Sequence, residues 1–254
     1  MGKRKGGVMY VIIFYWQGDR WQQKDYEQPA GYHNPLQHHI NRVGRIADDL
    51  PARYINNLFR GVRRFAECDF KFICFTNEQV KVDRGIEIRA FPLVSKMGVL
   101  PRLWMFSREA GLFGHQVLCL DLDVVIVGNL RDIMGYKGSF CTRRKFAPTA
   151  KLAEIDGDIM SFYAGEENER RFWLPFVKEV ERWEHLTLGR ERYWIRHCTK
   201  DQEIDCWQDL LPGQVVSYKW HARRRLPDNA RIVSCHGSPR PHEINNGWIK
   251  QYWQ

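Results

Sequence analysis

Two aspartates, Asp121 and Asp123, interrupt the apolar run QVLCLDLDVVIVGNL at residues 116–130. Aspartate is disfavoured in strands, and a carboxylate in apolar surroundings is costly unless something compensates it. Positions i and i+2 of a strand project to the same side, so the spacing predicts two like charges facing one point. A cation between them resolves that conflict, and a divalent metal with oxygen ligands is the simplest candidate. The plainer expectation is a pair of solvated carboxylates at an exposed strand end.

The elements that must hold these carboxylates can be read from the surrounding chain. Val8–Tyr15 (VMYVIIFY) is a buried strand, short and rich in β-branched and aromatic residues. Residues 17–51 are polar, with scattered Gly, Pro, His and Asn, and predict a long loop or insertion. Ala52–Cys68 carries Tyr54, Ile55, Leu58, Phe59, Val62 and Phe65 at helical spacing. Phe70–Phe75 and Ile86–Ala90 are further strands, Leu100–Ala110 a helix, and Val117–Leu120 the strand that delivers Asp121. Phe140–Thr142 and Ile159–Phe162 are later strand candidates, and Arg170–Glu184 is the clearest late helix. The alternation predicts one α/β domain over residues 1–254, with a mixed, mainly parallel central sheet flanked by helices. Ligands of such sheets sit at the carboxyl ends of the strands, and Asp121 and Asp123 fall there.

The 254 residues are enough for a full core, and 44% apolar with 27% charged is ordinary for a globular protein. A net charge of +9 suggests an anionic partner, although a solvated basic surface explains it equally well. The runs Arg143–Lys145 and Arg223–Arg225 are short and are expected to be solvated faces. No nucleic-acid-binding signature accompanies them, so no nucleic acid is expected. No run approaches the ~20 apolar residues of a membrane span, and the basic start followed by VMYVIIFY reads as a strand rather than a signal peptide. Seven scattered cysteines without a CxxC pair predict reduced thiols and a cytoplasmic protein.

The chain also resembles a known group. LDLDVVIVGNL, YINNLFRGVRR, FICFTNE, LPRLWMF, DIMSFYAG, KDQEI, LLPGQVVSYKWH and IVSCHGSPRPHE occur in an order similar to nucleotide-sugar glycosyltransferases of the GT-A fold, of the glycogenin and bacterial galactosyltransferase type. DxD alone is common; DxD with a distant HGxPRP element is more specific. The resemblance implies a GT-A, Rossmann-like fold and transfer of a sugar from a UDP-sugar to an acceptor hydroxyl, with retention of anomeric configuration. Asp121, Asp123 and His236 would hold Mn2+ or Mg2+, Asp121 also approaching the sugar or ribose. Gly237 would admit the diphosphate, and Arg240 stands where relatives have a lysine that neutralises the leaving phosphate. Tyr15, Trp16, Thr76 and Asn77 lie where base and ribose are held, and Asp201 and Gln202 match a DQ pair facing the donor sugar. Arg102, on the helix facing the strand ends, is a further phosphate contact, with a surface salt bridge as the alternative.

Two departures from the pattern stand out. Asp156 and Asp158 (DGDIM) occupy a place where a Gly/Ser-rich turn is expected, either altering sugar selection or capping a turn. Asn77 replaces a more usual acidic residue. The acceptor, whether carbohydrate, lipid-linked or protein, is not specified, and the basic, aromatic surface also admits peripheral contact with the anionic inner face of a membrane. Two other functions compete. LDLDVV fits the aspartyl phosphatase pattern locally, with Asp121 as nucleophile and Asp123 as acid/base, although the later acidic pair is not evident. A non-catalytic binder of anionic polymers would rest on the charge alone.

Overall fold

The computed structural model describes residues 8–16, 50–95, 97–147, 154–245 and 247–254. A seven-stranded sheet runs in the order β3-β2-β1-β4-β7-β6-β8. Its strands are β1 (Met9–Phe14), β2 (Phe70–Phe75), β3 (Ile86–Arg89), β4 (Gln116–Leu120), β6 (Phe140–Arg144), β7 (Ile155–Tyr163) and β8 (Asp205–Cys206). Neighbours are parallel except where β7 runs against β4 and β6, so the sheet is mainly parallel, as expected. A small second sheet joins β5 (Val124–Ile126), β10 (Ile232–Ser234) and β9 (Val215–Ser217), with β10 antiparallel to β5 and parallel to β9.

β1 is buried along its whole length, as a continuous apolar run must be inside a parallel sheet. Its side chains alternate between two cores. Met9, Val11 and Ile13 pack with Tyr54, Ile55, Leu58, Phe59 and Val62 of helix α1 (Leu50–Phe65). Tyr10, Ile12 and Phe14 face the other side, with Leu103, Phe106, Phe172 and Trp194. Helix α1 therefore buries the stripe its sequence period announces.

Several boundaries differ from expectation. Leu50 and Pro51 belong to α1, not to the loop, since proline is well tolerated in a first helical turn; residues 17–49 lie outside those described. The Leu100–Ala110 segment forms two 3-10 pieces, Leu100–Phe106 and Arg108–Ala110, separated by an extended Ser107. Every residue of the first piece is buried, so it has no solvent face to set a 3.6-residue period, and packing wins over propensity. The late helix spans Glu166 to Thr187 but is broken, with a π turn at Glu169–Trp173 and a kink at Glu179. Pro175 cannot donate to the carbonyl four residues back, and the π turn immediately before it absorbs that mismatch. Finally, Asp156, Gly157 and Asp158 lie inside β7 and cap no turn.

Candidate active site

β1 is flanked by β2 on one side and β4 on the other, so the strand order reverses direction between β1 and β4. A crevice forms at such a switch point, outside the carboxyl ends of the strands. Tyr15 and Trp16 follow β1 there, and Asp121 follows β4. Asp121 and Asp123 do not share a strand, as their spacing suggested. The chain turns at Leu122–Asp123 and enters the second sheet at Val124. Asp121 N–H donates to Asp158 O of the large sheet (2.8 Å), and Asp123 O accepts from Cys235 N–H beyond β10 (3.1 Å). The two aspartates thus straddle the seam between the sheets.

Each carboxylate already faces a cation, and that cation is an arginine. Arg102, only 4% exposed, donates from Nη1 to Asp121 Oδ1 and, at 3.4 Å, to Glu191 Oε1. Its Nη2 donates to Gly157 O (2.9 Å) and contacts Cys119 Sγ (3.3 Å). The expectation of a phosphate contact or a surface salt bridge is therefore corrected in one respect: the salt bridge is buried, because LPRLWMF is packed on all sides. Arg240, also 4% exposed, pairs with Asp123 Oδ2, and its backbone N–H is held by Glu243 Oε2 (2.7 Å).

His236 lies beside this cluster, directly after the Cys235 amide that binds Asp123 O. Its Nε2 shares a hydrogen bond with Ser217 Oγ (2.9 Å), and its ring stacks on Phe146 with centroids 6.0 Å apart. Burial, followed by the charges of Arg143 and Lys219, holds the imidazole below its ordinary pKa and therefore neutral near pH 7. Phe146 in turn lies under the Arg143 guanidinium at 4.3 Å. Arg143 overturns the expectation of a solvated arginine run: it is 1% exposed and pairs with Asp158 on β7. Arg223, Arg224 and Arg225 are exposed, as that expectation has it. Burial pushes the Asp158 carboxyl up, but Arg143, hydrogen bonds from Arg143 and Ser234, and His236 outweigh it and hold the group below the usual carboxylate range.

The donors suit a divalent metal in kind: two carboxylates and a neutral imidazole. Asp123 Oδ1 is buried without a hydrogen-bond partner, an acceptor left open beside the seam. Among the described residues, however, no three carboxylate, imidazole or thiolate groups converge as a formed metal centre, and the arginines hold one oxygen of each aspartate.

The other expected residues are placed as follows. Tyr15 is buried, its N–H bonded to Phe75 O (2.9 Å), and Trp16 packs edge-on against Phe91. Thr76 Oγ1 accepts from Glu78 N–H (3.0 Å), while the Asn77 side chain bonds the backbone of Phe91 in both directions. Gly237 has φ +72°, a conformation that favours glycine. Asp201, 83% exposed, stands beside Lys200 past the end of helix α2 (Glu191–Thr199), and Gln202 is exposed with it. Neither shares a hydrogen bond or ion pair with the Asp121–Asp123 cluster among the described residues.

Glu191 was not evident from sequence. It opens α2 within a run dense in surface charge, and only the fold brings it to Arg102. Burial pushes its carboxyl up to about 7, with Arg102 opposing and Asp121 and Asp156 adding to the rise. The unfolded value is about 4.3, so the folded state retains an extra proton between these limits, and stability falls as pH climbs from about 4 to 7. A Glu191→Gln protein should therefore be more stable than wild type at pH 8, by on the order of 3 kcal/mol, and equal to it near pH 4. Thermal melts across that range test this. A wild type that is the more stable at pH 8 would mean that Arg102 requires the ionised carboxylate.

A scan against models of protein families finds no match, and a search of curated proteins finds none either. Solved structures do match. A glycosyltransferase from Streptococcus pneumoniae, GlyE, superposes with a TM-score of 0.55 at 12% identity, over 92% of this chain and 56% of its own. An active-site mutant of LgtC superposes with a TM-score of 0.57 at 10% identity, over 95% of this chain and 93% of its own. The chain thus spans little more than half the GlyE chain and nearly all of LgtC. At these identities the likeness establishes the fold, the GT-A-type α/β architecture expected from the sequence.

Proposed function

We propose that this protein is a glycosyltransferase that moves a sugar from a UDP-sugar to an acceptor hydroxyl on a carbohydrate, lipid-linked carrier or protein, with anomeric configuration retained. One observation carries the reading: paired carboxylates and buried arginines, at the switch point of a sheet shared with glycosyltransferases, where a diphosphate ester would lie. Asp121, Asp123 and His236 are the residues that would hold Mn2+ or Mg2+. Such an ion would offset charge on the departing diphosphate.

The chain's own groups have clear tasks in this scheme. As the glycosidic bond breaks, negative charge grows on the nucleoside diphosphate, and preorganised cations stabilise it. Arg240 is buried at this point, where its guanidinium can grip phosphate oxygens bidentately. Arg102 fixes Asp121 and the backbone of Gly157 together, which keeps the crevice wall in register for the sugar. No described helix is long and apolar enough to cross a membrane.

Titration calorimetry with UDP tests the proposal, run with Mn2+ and again with a chelator. Binding that requires the metal is the expected result. Silence with UDP, GDP and CDP alike would overturn it, and metal-independent, salt-sensitive uptake of anionic polymers would favour the non-catalytic binder.

A further inference from the structure

Lys219 belongs to no expected site, yet the fold delivers it to the edge of one, against Gly237. β9 and β10 are parallel and in register, Ser217 opposite Ser234, so both strands end at the same level. After β9 the chain enters a π turn, Tyr218–Ala222, in which Ser217 N–H donates to His221 Nδ1 (2.9 Å). Such turns recur at functional sites. This one points Lys219 across to the loop after β10. A Cβ placed on Gly237 would stand 2.7 Å from Lys219 Nζ, so the ammonium lies against that glycine's backbone.

The ammonium is half-buried and makes no ion pair with a carboxylate among the described residues. Burial draws its pKa below the ordinary lysine range, and only the Cys235 thiol acts against this. Its charge also reaches His236, adding to that of Arg143 in disfavouring a second proton there. A partly desolvated cation without a carboxylate partner is costly unless an anion joins it.

We propose that Lys219 binds the diphosphate of the donor from the β9 side of the 235–240 loop, where its ammonium lies against the backbone of Gly237. This rests on the reading of the site as a nucleotide-sugar site and adds to it a residue from a different strand end. Lys219 supplies a point charge with three rotatable donors, where Arg240 supplies a planar fork. The two together recognise adjacent phosphates, so Lys219 discriminates a diphosphate from a monophosphate.

The test compares UDP, UMP and inorganic pyrophosphate by calorimetry, with Mn2+ present, on wild type, Lys219→Met and Lys219→Arg. Melting temperatures confirm that each variant is folded. The methionine variant is expected to weaken UDP about ten- to a hundredfold, the range of a charge-assisted hydrogen bond, with UMP changed less than threefold and arginine recovering part of the loss. An unchanged UDP affinity, or equal losses for UDP and UMP, would overturn the assignment. Should wild type bind pyrophosphate but not UDP, the nucleotide reading falls, and loss of pyrophosphate in the methionine variant would still uphold Lys219. Binding of neither by wild type would remove both.

Discussion

An Asp123→Ala protein is expected to lose metal-dependent UDP binding altogether and to melt on the order of 10 °C below wild type. The two losses have different origins. Asp123 is 6% exposed and Arg240 4%, so removing the carboxylate strands a buried guanidinium. Breaking a buried pair from one side costs about 3–5 kcal/mol, and about 2–4 °C accompany each kcal/mol in a chain of this size. Replacing both partners, as in Asp123→Ala/Arg240→Met, should recover most of the melting temperature because no lone charge remains. It should recover none of the UDP binding. A single variant that binds UDP with Mn2+ as tightly as wild type would remove Asp123 from the donor site. A double variant no more stable than the single one would show that the ion pair is not what stabilises this corner.

The second large effect is expected at Arg143. Its Nη2 donates to Asp158 Oδ2 (2.7 Å) and Asp156 Oδ2 (3.2 Å), its Nη1 to Arg144 O (3.1 Å), and its Nε to Asp158 Oδ1. Ser234 Oγ completes the shell of Asp158 from β10, so this one guanidinium joins β6, β7 and the second sheet. Arg143→Met should cost about 3–5 kcal/mol at neutral pH, the cost of a stranded buried carboxylate. The pH dependence gives the mechanism away. In wild type the depressed Asp158 carboxyl contributes stability above its unfolded pKa of about 3.9, which is lost as pH falls through the lower folded value. Without Arg143, Asp158 takes up a proton more readily, so the deficit of the variant should be widest at pH 7–8 and shrink towards pH 4. Chemical denaturation at pH 8, 6 and 4 measures it. A deficit that does not vary with pH would assign the loss to packing against Phe146 instead.

Local pattern carries a good part of this fold. The apolar run of β1 needs no partner to be recognised, and the face of α1 announces itself through Tyr54, Ile55, Leu58, Phe59 and Val62. The carboxylates after β4 are conspicuous in the sequence because they interrupt an apolar run. What neutralises them is remote. Arg102 and Arg240 come from separate segments and Glu191 from a third, and such pairings exist only once the topology brings them together. Arg143 misleads for the opposite reason. Within the Arg-Arg-Lys run, Arg144 and Lys145 are half-buried in ion pairs with Asp209 and Glu154, while Arg143, at the register break between β6 and β7, turns inward against Asp158. The π turn before Pro175 and the 3-10 turns around Arg102 escape periodicity because each departs from the 3.6-residue repeat.

The turn between Asp121 and Asp123 also sets where the width of the crevice is decided. Asp121 is anchored through its amide to the large sheet and Asp123 through its carbonyl to the small one, so the gap between their carboxylates measures how the two sheets are docked. Leu122, between them, is buried in the core shared by Val124, Ile159 and Val233. The spacing of the aspartates is thus governed from below, by apolar volume. Repacking that core by a methylene or two would act as a set screw on the site, opening or closing it without altering any residue that lines it.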